Sequence, residues 1–176
     1  MTDQLRMIWP EGRKPPLCIL PKGYSVRRFR PSDEQAYVRM LNRGDLGEWD
    51  LDRMRSILEN PLAPGTVYFI TYNDVPVATT CSQKQESDWD DDLDWAEVGW
   101  VTVDPAHRGR GLGLIICAVV VDQLQRLGYK HIYLKTDDWR LPAIKTYLRM
   151  GFQPLINSDE MNTRWRAVAE KLDWSF

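Results

Sequence analysis

The chain predicts a mixed α/β fold, and three observations lead there. Apolar residues first recur at helical spacing, then alternate at strand period, and finally interleave as strand–helix–strand–helix–strand. A chain of 176 residues is long enough to enclose a substantial core without disulfides or metal. No internal repeat or low-complexity linker divides it.

Residues 1–22 hold Pro10, Pro15, Pro16 and Pro21, a density that predicts an extended N-terminal arm, leaving 23–176 as one domain. Tyr24 to Arg30 alternates as a first strand. Ser32 or Asp33 then caps a helix through Leu41, with Ala36, Tyr37, Met40 and Leu41 on one side. Asp50 to Leu58 reads as a second helix, closed by Asn60-Pro61. Thr66 to Tyr72 and Val75 to Ser82 make a hairpin around Asn73-Asp74. An acidic loop, Glu86 to Asp94, precedes a strand from Ala96 to Val103. The helix opened by Gly109 to Gly113 is apolar on more than one face, which predicts deep burial, and Gly128 stops it. His131 to Thr136 is a strand and Arg140 to Met150 a helix whose first turn accommodates Pro142. Phe152 to Ile156 and Met161 to Leu172 complete the series as strand and amphipathic helix.

Composition narrows the function classes. A net charge of −2 argues against nonspecific nucleic-acid binding, which needs a strongly basic face. Cys18, Cys81 and Cys117 are widely spaced, form no CxxC pair, and have only His107 and His131 for company, so no metal site is expected. Unpaired thiols fit a reducing cytoplasm. The opening MTDQLRMIWPEGRKPP lacks the apolar stretch of a secretory signal, and the run Leu112 to Val121 is too short to cross a bilayer. A cytoplasmic protein without membrane or nucleic-acid partners is expected. Eight tryptophans are mostly core or groove-lining candidates, and Trp89, Trp95 and Trp100 sit in or near the acidic stretch.

The stretch most informative about chemistry is Val101-Thr-Val-Asp-Pro-Ala-His-Arg108-Gly109-Arg110-Gly111-Leu112-Gly113. A strand ends, Asp104-Pro105 turns the chain, and a glycine-rich loop bearing two arginines opens a helix. Glycines let backbone N–H groups converge on an anion, and the helix start adds partial positive charge. The loop has neither the GxxxxGK[ST] of a P-loop nor GxGxxG spacing.

Arg108-Gly-Arg-Gly111-Leu-Gly113 resembles the R/Q-x-x-G-x-G/A loop of the GNAT (Gcn5-related N-acetyltransferase) superfamily, and Ala143-Ile-Lys-Thr-Tyr147-Leu-Arg-Met-Gly151-Phe152 resembles its A-x-x-x-Y-x-x-x-G-F signature. The close match runs from Glu97 to Phe152; the N-terminal half agrees in element order. The resemblance implies a mostly antiparallel sheet of about six strands, splayed between the fourth and fifth, Ala96–Val103 and His131–Thr136, with flanking helices and a C-terminal helix. It implies acetyl-CoA as co-substrate. Arg108, Gly109, Arg110, Gly111, Leu112 and Gly113 would hold its pyrophosphate, and Val101, Thr102 and Val103 would offer a strand edge to its pantetheine.

The same resemblance implies two proton carriers. Glu97, eleven positions before Arg108, would be the general base and Tyr147 the general acid for the leaving thiolate. Each has a plainer alternative: a solvated strand end for Glu97, and helix packing beside Ile144 and Leu148 for Tyr147. Regular alternation puts Glu97 on one face with Gly99, Val101 and Val103. Arg140 stands where relatives carry an asparagine, and is expected as an exposed arginine. The acidic run is expected as a solvated loop, the alternative being a mouth that draws in a cationic amine. An N-acetyltransferase acting on an amine by direct attack is the expected function, compatible with a homodimer. The alternative is a non-catalytic acyl-CoA-binding sensor or partner module.

Overall fold

A computed structural model of the chain describes residues 3–44, 46–60, 62–84 and 94–175. The strands are β1 (Leu5–Trp9), β2 (Tyr24–Arg28), β3 (Tyr68–Tyr72), β4 (Val75–Lys84), β5 (Trp95–Val103), β6 (His131–Thr136) and β7 (Gln153–Pro154). The α-helices are α1 (Glu34–Arg43), α2 (Leu51–Leu58), the one-turn α3 (Ala63–Thr66), α4 (Leu112–Arg126), α5 (Leu141–Met150) and α6 (Asp159–Leu172). All seven strands join one sheet, ordered β2-β3-β4-β5-β6-β1-β7. Every neighbouring pair is antiparallel except β5 and β6. The mixed α/β class is therefore as expected, with one strand more than the sequence pattern shows.

That extra strand corrects the expected N-terminal arm. Leu5–Trp9 pairs along its length with β6 and, at Met7 and Ile8, with β7. The prolines begin only at Pro10; before them Leu5, Met7 and Trp9 are buried while Arg6 and Ile8 are half-buried, the period of a strand. A further correction concerns Asp33. It immediately precedes α1 without capping it, because its carboxylate accepts from the Arg30 backbone N–H at 2.7 Å and from the Arg27 guanidinium at 2.6 and 2.9 Å. The hairpin turn is as expected: Asn73 and Asp74 have φ of 48° and 64°, which residues with short polar side chains tolerate.

Each face of the sheet carries its own core. Leu5, Met7, Val98, Ile116, Val120, Ile144, Phe152 and the fully buried Trp165 belong to the layer of α4, α5 and α6. Tyr37, Leu41, Met54, Ile57, Phe69 and Cys81 belong to the layer of α1 and α2. Helix α4 packs on β3, β4 and β5 of the sheet and on α3 and α5, which is why its sequence is apolar on more than one face. Among the described residues, no helix is long and apolar enough to cross a membrane.

A bulge in β5 changes which residues share a face. Thr79 pairs with Thr102 and Cys81 with Gly99, so Thr80 stands opposite both Trp100 and Val101. Trp100 takes φ of 53°, a left-handed conformation that costs a bulky residue on the order of 1–3 kcal/mol. Its ring packs edge-on against Trp49 with centroids 4.6 Å apart, which offsets part of that cost. Beyond the bulge the alternation is reset. Val101 and Val103 pack into the α4 layer with Ala96 and Val98. Thr102 lies against the end of α1, on the side of Glu97 and Gly99. The expected grouping of Glu97 with Val101 and Val103 is thereby overturned, because regular alternation counts no bulge.

Candidate active site

The strand β5 delivers the chain into the glycine-rich loop through a short 3-10 turn, Pro105–His107. Asp104 accepts from the Ala106 N–H at 3.0 Å and pairs with Arg43 of α1 at 2.6 Å, and the backbone hydrogen bond is the main reason its carboxyl lies below the usual range. Tyr24 and the Nδ1 of His107 share a hydrogen bond of 2.8 Å, tying the turn to β2. Arg108 donates from Nε to the Val103 carbonyl at 3.2 Å, and Arg110 donates to the Ala106 carbonyl at 2.8 Å. The two arginines thus brace the loop and add charge to it.

Gly109 and Gly111 have φ of 77° and 74°, and a Cβ built at either would meet nothing within 4 Å. Backbone in that conformation turns successive N–H groups toward one side, and the open space lets a ligand reach them. The first intrahelical bond here runs from Ile115 N–H to the Gly111 carbonyl, so the N–H groups of Leu112, Gly113 and Leu114 precede the ladder. Gly113 lies against Val103 and against Thr146 of α5, each 3.8 Å from a built Cβ. The open space and the N–H groups ahead of the ladder fit an anionic group.

Beside this loop the sheet opens. β5 and β6 pair at Trp95↔His131, Ala96↔Ile132 and Glu97↔Tyr133, and no further. β5 runs on to Val103 held by β4, while β6 runs on to Thr136 held by β1. Their facing edges beyond Glu97 and Tyr133 are unladdered, as the expected splay requires, and Val101, Thr102 and Val103 lie on one of them. An extended ligand reaching from the loop has a strand edge available for pairing.

Glu97 sits where the opening begins. Its side chain is 10% exposed, so the solvated-strand-end alternative does not hold. Tyr133 donates to Oε2 at 3.0 Å, and the Lys135 ammonium lies 3.6 Å from the same oxygen. Burial is the largest influence and pushes the carboxyl above its ordinary range, against the pull of Lys135, Tyr133 and Arg6. Trp95 lies edge-on to Tyr133 at 5.9 Å and makes an aromatic wall.

Tyr147 comes from the other layer of the fold. Its ring is buried, edge-on to Phe152 at 6.2 Å, and belongs to the cluster with Ile144 and Leu148. Burial, with Cys117 nearby, pushes its phenol well up, so the hydroxyl stays protonated at neutral pH. Packing and proton donation are compatible here. The thiols of Cys81 and Cys117 are pushed up to about 12, chiefly by burial, and neither is an activated nucleophile.

Sequence reasoning missed Tyr133, Lys135, Arg43 and Tyr24 as neighbours of the site. The alternation of His131-Ile-Tyr-Leu-Lys135 places Tyr133 and Lys135 on one face, but only the β5–β6 register brings them to Glu97. Arg140 is another departure from expectation: it is only 20% exposed, pairs with Asp137 at 2.9 Å and stacks over Trp139 at 4.3 Å. Trp89 and the acidic run up to residue 93 lie outside the described residues.

Among the described residues, a mixed sheet opens at its parallel pair beside a glycine-rich loop at a helix start, the arrangement of an α/β domain with an open loop suited to an anion. The chain belongs to the Acetyltransferase (GNAT) family, whose sequence model matches residues 33–152. A mycothiol acetyltransferase of Thermomonospora curvata is 27% identical over 143 residues, covering 78% of this chain and 46% of the relative. The chain spans about half the length of the curated relatives it matches. The ribosomal-protein-S18-alanine N-acetyltransferase from Escherichia coli superposes with a TM-score of 0.63 at 20% identity, covering 76% of this chain and 79% of that one. A chain of the NatC complex bound to Gag peptide and CoA gives 0.65 at 18% identity, covering 76% and 86%. At these identities the likeness establishes the fold.

Proposed function

We propose that this chain is an N-acetyltransferase that moves an acetyl group from acetyl-CoA to a primary amine by direct attack in a ternary complex. The observation that carries the reading is the unladdered β5–β6 opening, which has the cradle loop at one end and buried Glu97 at the other. Backbone N–H groups from Arg108 through Gly113 hold the pyrophosphate, and the edge of Val101, Thr102 and Val103 holds the pantetheine. When bound, acetyl-CoA supplies a thioester carbonyl open to a nucleophile.

An aliphatic amine is protonated at neutral pH and must lose a proton before it attacks. Glu97 takes that proton, its basicity raised above that of an ordinary carboxylate by burial. Tyr147 keeps its proton and donates it toward the leaving sulfur. With no activated thiol among the three cysteines, direct attack is favoured over an acyl-cysteine route. The Glu97 environment favours turnover over the non-catalytic binding module, since a binder has no use for a buried carboxylate at the mouth.

Two measurements test this. Gly111→Glu puts a carboxylate into the cradle, and calorimetry should show CoA binding lost while circular dichroism shows the fold kept. Thiol release from acetyl-CoA with a panel of amines, from polyamines to peptide N termini, then identifies the acceptor. Undiminished CoA affinity in a folded Gly111→Glu protein would sink the loop assignment.

A further inference from the structure

Lys135 occupies a position that its role in the sheet does not require. It lies two residues beyond Tyr133, the last β6 residue laddered to β5, on the same face as Tyr133 and Glu97. Its side chain is 25% exposed, with the ammonium 3.6 Å from Glu97 Oε2 and 5.7 Å from the centre of the Tyr133 ring. A primary amine is therefore already held against the carboxylate proposed to deprotonate the acceptor, at the edge of the opening proposed to carry the thioester.

We propose that Lys135 is an internal acyl acceptor, and that the chain acetylates its own Lys135 when it binds acetyl-CoA without an amine substrate. The inference rests on the proposed function of the site. A free lysine amine is neutral only about once in 10³ molecules at neutral pH, so proximity alone does not make it a nucleophile. Lys135 is in contact with a buried carboxylate; Lys22 and Lys130 are exposed and make no such contact among the described residues. Holding amine, base and thioester together replaces a bimolecular encounter with an intramolecular one.

Glu97 Oε2 takes one proton from the ammonium, and the neutral Nζ attacks the thioester carbonyl. The N–C bond forms and the C–S bond breaks with its electron pair going to sulfur. The thiolate takes one proton from Tyr147, which recovers it as the second amine proton is lost, and Glu97 releases the first to solvent, so CoA leaves as a thiol with one net proton released. The product is an amide that removes the positive charge from beside Glu97. It forms once per chain.

The test uses the full chain with acetyl-CoA and no added amine, followed by intact mass and peptide mapping, with CoA binding measured in parallel by calorimetry. One acetyl group should appear on Lys135 at least roughly tenfold faster than on Lys22 or Lys130, given what a general base contributes. Excess CoA should slow Lys135 alone, Lys135→Arg should leave only the slow background, and Glu97→Gln should bring the Lys135 rate down toward that background. If CoA binds and amine turnover proceeds while Lys135 is modified no faster than the exposed lysines, the self-acylation proposal is overturned. A chain that binds no CoA overturns the proposed function with it, and the calorimetry tells the two failures apart.

Discussion

Gly44, at the end of α1, offers a test of how the helix layer positions the β5 edge proposed to hold the cofactor. Its φ of −87° suits any residue, so Gly44→Ala meets no backbone strain. Without a steric conflict, such a change at a helix end stabilises by about 0.4–1 kcal/mol, because the unfolded chain loses freedom. Here an alanine Cβ would stand 2.1 Å from Thr102 Oγ1 and 2.7 Å from Thr102 Cβ. A χ1 rotation moves the hydroxyl but not the Cβ, and Thr102 is buried in β5 opposite Thr79. Helix and strand must therefore part, at the overpacking cost of about 1–3 kcal/mol. The net loss should be near 1–2 kcal/mol, or roughly 3–6 °C in Tm for a domain of this size. Urea unfolding of Gly44→Ala, Thr102→Ala and the double variant reads the coupling directly. The double variant should be less destabilised than the two singles added together, since the Oγ1 clash is gone and the Cβ clash remains. CoA affinity should fall in Gly44→Ala as well, because Thr102 lies on the proposed edge. Equal or greater stability in Gly44→Ala, or strict additivity, would refute the close approach of α1 to β5.

Three further outcomes follow from the site. Glu97→Gln should lower kcat by roughly 10²-fold at neutral pH, and by less at high pH where free amine is abundant; an unchanged pH–rate profile would move the base elsewhere. Because burial raises the Glu97 pKa in the fold, its contribution to stability is full below the unfolded carboxylate pKa and is lost as pH rises through the folded value. Urea unfolding should show that loss in the native chain and not in Glu97→Gln, and equal slopes in the two would remove the buried-carboxyl account. Tyr147→Phe keeps the ring against Phe152 and Ile144, so CoA affinity should hold while turnover drops roughly tenfold; full activity would leave proton delivery to solvent.

Periodicity and punctuation carried the sequence reading well past element order. The Asn73-Asp74 turn, the stop at Gly128 and an opening of α4 within Gly109 to Gly113 were legible because each rests on local backbone preference. Residues 5–9 were not, since the prolines that follow them dominate the composition of the window while the alternation is only five residues long. The bulge at Trp100 was not legible either: nothing local favours a tryptophan at positive φ, and the packing on Trp49 that supports it comes from a distant loop. For the site, the loop and the signature helix stood out as motifs. Tyr133 and Lys135 did not, because a parallel register depends on how α4 folds back between the two strands.

The placing of β1 between β6 and β7 also has a consequence for the order of assembly during synthesis. Gln4 at the start of this region and Asp137, to which it donates at 3.1 Å, are 133 positions apart. At usual elongation rates of about 5–20 residues per second, the first strand waits many seconds for β6, and longer for β7. Over that interval Leu5, Met7 and Trp9, buried in the finished fold, have no sheet to enter. Closure of this ladder is thus a late event with high contact order. A nascent chain stalled before β6 presents a sticky apolar strand, and chaperone dependence during translation should fall when those three side chains are made polar, even as the finished domain is destabilised.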